Sequence, residues 1–238
     1  AEAVDLVVEL GRRPPSRGLA VHFGNAYGIA LADTDAAYRR ILRQADLLAS
    51  DGMPVVWAGR RLYPHAAASW ERVYGPDVMS AVLAAEGPRH YLVGGTPATL
   101  ARLQEAIAAR WPSAVVVGAQ SPPFRPETAD EQADRDARIR ACAATTVWVG
   151  LGTPKQDAEV RRLADRLPVT ALGVGAAFDF LAGTVRQAPP WAQRSGLEWA
   201  YRWTQDPGRL TRRYLWGNPR FVWAVGRQVA DRARRVGP

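Results

Sequence analysis

At 238 residues, 47% hydrophobic and 23% charged, the chain has the length and balance of a globular protein with one large domain and room for an appendage, which excludes a disordered or fibrous class. No run of 18 apolar residues occurs to form a spanning helix, the opening A-E-A-V-D-L-V-V-E-L does not read as a signal peptide, and the single Cys142 excludes an internal disulfide and fits a reducing compartment. The net charge of +8 is uneven: from Trp191 to Pro238 ten arginines face Glu198, Asp206 and Asp231, which puts +7 there and leaves the rest of the chain near neutral.

In chain order, the pattern predicts a helix over residues 3–10, a strand over 19–23 and a helix over 35–45 with Asp33 or Thr34 as N-cap. A short strand at 47–48 runs into the turn S-D-G-M-P at 50–54. Strand 90–93, helix 97–110 and strand 114–117 make one βαβ unit. A charged helix over 127–143 leads to a second unit of strand 146–149, helix 154–167 and strand 169–174. Such alternation implies an α/β fold: a Rossmann-like, mostly parallel sheet flanked by helices. Beyond Pro189 only helical pattern remains, broken at Pro207 and Pro219. The expected organisation is an α/β domain over 1–190 and a basic, Trp-rich helical appendage over 191–238.

Ligands of open α/β sheets bind at the carboxyl ends of strands, and glycine there lets backbone approach them closely. Two predicted strands end that way, in G-L-G-T-P-K-Q-D at 150–157 and in G-V-G-A-A-F-D-F at 173–180. Neither completes the dinucleotide fingerprint G-x-G-x-x-G with a distant acid, so a nicotinamide-dependent oxidoreductase is a minor alternative. Asp33-Thr34-Asp35 matches a metal-binding D-x-D pattern, but its place before a helix favours capping. His22, His65 and His90 lack a zinc-ligand spacing. Asp51 follows a buried strand and precedes Gly and Pro, so its carboxylate is placed to take a proton from a hydroxyl; the competing reading is an Asx-turn. Asn25 ends the first strand as a sugar-binding amide or a helix cap, Gln156 opens a helix as an uncharged donor and acceptor or an exposed position, and Arg72 with Asp77 forms a candidate ion pair.

Five tryptophans join the ten arginines in the tail, a mixture suited to a membrane interface, a nucleic acid or a partner subunit. A nucleic-acid-binding protein using this tail is therefore the other alternative, although no recognition motif accompanies it.

N-A-Y at 25–27, A-D-L-L-A-S-D-G at 45–52, R-V-Y-G-P-D at 72–77, the two glycine motifs, and A-P-P-W with G-L-E-W between 188 and 199 occur in register over residues 19–215. In this the chain resembles the WecG/TagA/CpsF family of bacterial glycosyltransferases. The resemblance implies inverting, metal-independent transfer of a hexose from a UDP-sugar to a saccharide on a polyprenyl diphosphate, with no cofactor, for a surface polysaccharide or cell-wall polymer. It implies Asp51 as general base, and Asn25 and Gln156 as lining of the sugar pocket. Gly94, Gly150, Gly152, Gly173, Gly175 and Asp179 would border the substrate, with Arg72 and Asp77 on its rim. Many members carry Thr two residues before the Asn; Phe23 stands there here, which leaves glucose and N-acetylmannosamine both open as donor sugar. Without a metal, the departing diphosphate needs cationic side chains, for which Arg202, Arg209, Arg212 and Arg213 are the candidates. The resemblance further implies a homo-oligomer, cytoplasmic and peripherally bound to the inner face of the cell membrane, and no nucleic-acid partner.

Overall fold

The computed structural model of the protein describes residues 2–12 and 15–236. Six strands are present: β1 (Leu19–Gly24), β2 (Leu47–Ser50), β3 (Arg89–Gly94), β4 (Val115–Gln120), β5 (Thr146–Gly150) and β6 (Thr170–Gly173). They form one parallel sheet in the order β2-β1-β6-β5-β3-β4. The twelve α-helices among the described residues are α1 (Glu2–Arg12), α2 (Ala26–Thr34), α3 (Ala36–Arg43), α4 (Met53–Leu62), α5 (Gly75–Ala84), α6 (Pro97–Arg110), α7 (Ala129–Ala141), α8 (Lys155–Arg166), α9 (Ala177–Leu181), α10 (Pro190–Arg194), α11 (Glu198–Gln205) and α12 (Pro207–Val236), with a 3₁₀ helix at Pro64–Ser69. The predicted α/β class with a parallel, helix-flanked sheet is the class observed.

Two compact units divide the chain: Ala1–His22, Ile41–Leu48 and Gly75–Arg186 form one, and Phe23–Arg40, Ala49–Tyr74 and Gln187–Pro238 form the other. The first is built on the central strands. Tyr-Leu-Val at 91–93 and Val-Trp-Val at 147–149 are wholly apolar because helices cover both faces of a parallel sheet, leaving no polar side to alternate with. Each of these six side chains is buried. Around them Ala20, Ile139, Val160, Leu163, Leu167 and Ala171 complete the core. Parallel register pairs His22 with Gly173, Val149 with Gly173 and Gly94 with Gly150, so the carboxyl ends of β1, β6, β5 and β3 share one sheet edge. Local signals set the helix starts: Thr96 caps α6 through Thr99 N–H at 3.1 Å, and Thr128 with Glu131 forms a reciprocal capping box on α7.

The second unit packs α12 on α2 and α4 around Ala30, Val55 and Phe221, with Ala26, Ile29, Ala58 and Val225 against them. Gly217 makes this approach possible, since a Cβ there would lie 2.9 Å from the Tyr27 ring. Here the structure corrects the sequence. Pro219 lies inside α12 and does not break it; packing on α2 and α4 outweighs one missing backbone donor. Helices α2, α4, α5 and α9 were not predicted: α2 is too uniformly apolar to show a helical face, and α4 and α5 open on Gly and Pro turn signals. The cap of α3 is Asp35, whose Oδ1 accepts from Ala37 N–H at 2.8 Å and Tyr38 N–H at 3.0 Å, rather than Asp33 or Thr34.

Candidate functional site

In the first unit the predicted glycines gather along the carboxyl edge of the sheet. Gly94 has φ of 127°, and a Cβ on it would lie 2.5 Å from the Gly150 carbonyl oxygen, so β3 closes on β5 there only because Gly94 lacks a side chain; a Cβ on Gly150 would instead meet the Phe178 ring at 2.8 Å. Gly152 has φ of 75° and has open space where a side chain would be. Gln156 lies between the turns: its Nε2 donates to the Gly173 carbonyl at 2.9 Å and its Oε1 accepts from Gly152 N–H at 3.1 Å. The side chain is buried, not the exposed helix position considered above, and both of its polar groups are engaged in joining β6 to the turn before α8. Gly175 passes the same amide, with its Cβ direction 3.1 Å from Oε1. Asp179, in the first turn of α9, accepts from the Thr184 hydroxyl at 3.3 Å. Asp77 is exposed in the first turn of α5. Helices α6, α8 and α9 all start beyond this glycine edge, which turns backbone N–H groups toward it.

The second unit builds a different environment around Asp51. The residue directly follows β2, with its N–H donating to the Gly24 carbonyl at 2.9 Å. Gly52, with φ of 96°, starts α4 without any side-chain cap, so the turn stands on backbone bonds and not on an Asx-turn. Residues 71–74 run beside the strand end, with Val73 N–H donating to the Ser50 carbonyl at 2.8 Å and the Ser50 hydroxyl donating to the Glu71 carbonyl at 2.6 Å. That segment carries Arg72 and Tyr74. The Arg72 guanidinium donates to Glu198 at 2.6 Å and to Gln193 at 2.8 Å, and stacks 3.8 Å over the Tyr74 ring. The Tyr74 hydroxyl donates to the other oxygen of Glu198 at 3.0 Å. Loss of hydration, followed by the negative charge of Glu198, pushes the Asp51 carboxyl up to about 7, against the opposing pull of Arg72, Arg202 and Arg213. So placed, the carboxyl changes its charge close to neutral pH.

A scan against protein-family models matches residues 1–235 to the Glycosyl transferase WecG/TagA/CpsF family. The chain belongs to this family. It is thereby a glycosyltransferase, and the family acts in cell-wall or surface polysaccharide synthesis.

The remaining candidates of this WecG/TagA/CpsF member divide clearly. Asn25 caps α2, its Oδ1 accepting from Gly28 N–H at 3.0 Å, which leaves the amide NH2 as the group able to donate elsewhere. Phe23 is a buried core residue. Asp33 binds two arginines of α12, Arg220 at 2.7 Å and Arg227 at 2.5 Å, and those guanidinia stack on the Trp223 ring at 4.5 Å each. Arg202 on α11 and Arg213 on α12 are half-buried and act on Asp51, and Arg213 lies 4.4 Å over the Tyr27 ring. Arg212 is exposed. Arg209 is on α12, and its side chain lies outside the described residues. His22 pairs with Asp157 at 3.0 Å in the core, and His90 accepts from the Trp148 indole. Sequence reasoning missed Tyr74, Gln193 and Glu198. The signal for Glu198 was available: it is one of three acids among ten arginines.

Proposed function

We propose that this glycosyltransferase transfers a hexose of the glucose or N-acetylmannosamine type from a UDP-sugar to a saccharide carried on a polyprenyl diphosphate, with inversion and with Asp51 as the base. The observation that carries the reading is the Asp51 carboxylate itself: held at a strand end by backbone bonds, destabilised as an anion, and faced by arginines from the C-terminal helices. Proton removal from the acceptor hydroxyl makes the oxygen a nucleophile as it attacks the anomeric carbon of the donor. The bond from that carbon to the UDP oxygen breaks on the opposite side, and single displacement inverts the centre. Arg202 and Arg213 are the side chains best suited to the charge that develops on the departing diphosphate, since two of the four candidate arginines bear on the base's surroundings and these are the two. The glycine edge and the N-termini of α6 and α8 suit the anionic nucleotide.

The lipid acceptor requires visits to a membrane. No described helix is long and apolar enough to cross one. The support for peripheral attachment is α12, which exposes Leu215, Trp216, Val222 and Trp223 together with Arg212. Leu215, Trp216, Pro219, Arg220 and Trp223 line a shallow groove of about 350 Å³ there. Homo-oligomers remain part of the proposal on the family resemblance alone.

The deciding experiment measures UDP release from UDP-glucose, UDP-N-acetylmannosamine and other UDP-hexoses, each with a lipid-diphosphate-linked saccharide, in wild type and Asp51→Ala. Release that depends on the acceptor and falls at least about a hundredfold in the variant is expected. Acceptor-dependent release within a few-fold of wild type removes Asp51 from its role.

A further inference from the structure

The appendage contributes one carboxylate to the surroundings of Asp51, and its position is fixed from three sides. Arg72 holds one oxygen of Glu198 at 2.6 Å, the Tyr74 hydroxyl holds the other at 3.0 Å, and Arg72 also reaches Gln193 on α10 at 2.8 Å. Both side chains of Arg72 and Glu198 are largely buried, at 15% and 17% exposure, so this is a specified contact and not a loose surface pair. Arg72 and Tyr74 come from the segment bonded alongside Ser50, immediately before Asp51. Glu198 opens α11 and Arg202 follows four residues later on the same helix, a spacing that places both on one face. The rotation of α11 about its axis is therefore set by the end that Arg72 and Tyr74 grip.

We propose that Glu198 is a positioning residue: gripped by Arg72 and Tyr74, it fixes the face of α11 from which Arg202 acts on Asp51, and it is itself the negative neighbour of that base. The inference rests on the reading of Asp51 as the base. Among the described residues, the charged and titratable neighbours that act on Asp51 are Glu198 and Arg202 on α11, Arg213 on α12, and Arg72 and Tyr74 from the adjoining segment. Glu198 opposes ionisation of Asp51 and the three arginines favour it. Exchange of Glu198 for glutamine deletes the repulsion and keeps an amide oxygen that accepts from Arg72, with an NH2 that can donate to the Tyr74 hydroxyl oxygen. Exchange for alanine removes the grip as well.

The test is a carboxyl ¹³C NMR titration of the full chain, with the Asp51 resonance assigned by its loss in Asp51→Asn; no substrate is needed. In Glu198→Gln the Asp51 midpoint falls by about half a pH unit or more, as expected for loss of a nearby like charge. Arg202→Ala raises the midpoint in the wild-type background and leaves it nearly unchanged in the Glu198→Ala background, because α11 no longer holds position 202 toward the base. A Glu198→Gln curve superimposed on wild type overturns the proposal. So does an Arg202→Ala shift of equal size in both backgrounds. If Glu198→Ala does not fold, the Glu198→Gln shift decides alone. Turnover by Asp51→Asn in the UDP-release assay is scored separately: wild-type rates there remove the base reading, whereas an inactive Asp51→Asn with an unmoved Glu198→Gln titration removes this inference only.

Discussion

At Asp51, fold stability and the proposed base chemistry pull in opposite directions. Its carboxyl holds a proton more tightly in the fold, up to about 7, than an unfolded aspartate with an ordinary value of 3.8. Between these values the folded state binds more protons than the unfolded one, so stability falls as pH rises through that window and the cost is complete above about 7. Asp51→Asn, isosteric and uncharged, is therefore expected to raise Tm at pH 8 and to lose that advantage at pH 4, which differential scanning calorimetry at the two pH values checks. Catalysis has the opposite sign. Only the carboxylate accepts a proton, so kcat should climb with pH along an acid limb centred near 7, and Asp51→Asn should remove that limb together with about 10²- to 10⁴-fold of the rate. A variant that gains no stability at pH 8 contradicts the burial argument even if it is inactive. The neighbouring arginines separate in the same manner. Arg213 acts on Asp51 and stacks on Tyr27, whereas Arg212 is exposed. Arg213→Ala should cut kcat at least about tenfold in the UDP-release assay, while Arg212→Ala leaves kcat within about twofold.

At the scale of elements, the strand ends are held by side chains that sequence alone casts as ligand contacts. Gln156 joins the end of β6 to the turn before α8 through both halves of its amide. Gln156→Ala leaves the half-buried Gly152 N–H and the buried Gly173 carbonyl without their partner, a loss of about 1–3 kcal/mol. A lower urea midpoint without any substrate present is the expected result; an unchanged midpoint with a raised KM for donor would return Gln156 to a pure sugar contact. The sheet was legible in the sequence because continuous apolar runs such as 91–93 and 147–149, ended by glycine, have few other uses in a chain of alternating periods. The second unit was less legible. The α2 sequence A-Y-G-I-A-L-A-D-T is too uniformly apolar to show a helical face, and α4 begins with a Gly-Met-Pro turn signal. Both are helices because α12 covers them, a partner far away in the chain. The same distance hid half of the site. Asp51 announced itself by its place after a strand, but its tuning by Glu198 and Arg202 depends on α11 meeting residues 71–74, which no local spacing records. Asp33 was legible as an acid at a helix end, and its pairing with Arg220 and Arg227 was not.

For the whole molecule, charge bears on the proposed attachment to a membrane surface. The C-terminal stretch from Trp191 carries +7 of the net +8, yet Arg220 and Arg227 share Asp33, an acid from outside that stretch which offsets part of this charge. The charge free to meet an anionic surface is thus smaller than the formal sum, and each remaining arginine near such a surface contributes about 1 kcal/mol. Apolar contact has to supply the rest, and α12 exposes it in one stripe: Leu215 at 73% and Val222 at 67%, seven residues and two helical turns apart, with Trp223 beside them. Because these positions are already in water, placing glutamate at both should change stability by little, within about 1 kcal/mol. The doubly substituted chain, Leu215→Glu with Val222→Glu, should nevertheless bind vesicles of phosphatidylglycerol and phosphatidylcholine at least about tenfold more weakly in flotation. Wild-type binding should also weaken between 50 mM and 500 mM salt, as the Debye length shortens from more than 10 Å to less than 5 Å. Binding that ignores both salt and the substitutions would detach α12 from the membrane role. A double variant that instead changes sedimentation from a larger species to a smaller one would show that a second copy of the chain, and not lipid, covers the stripe.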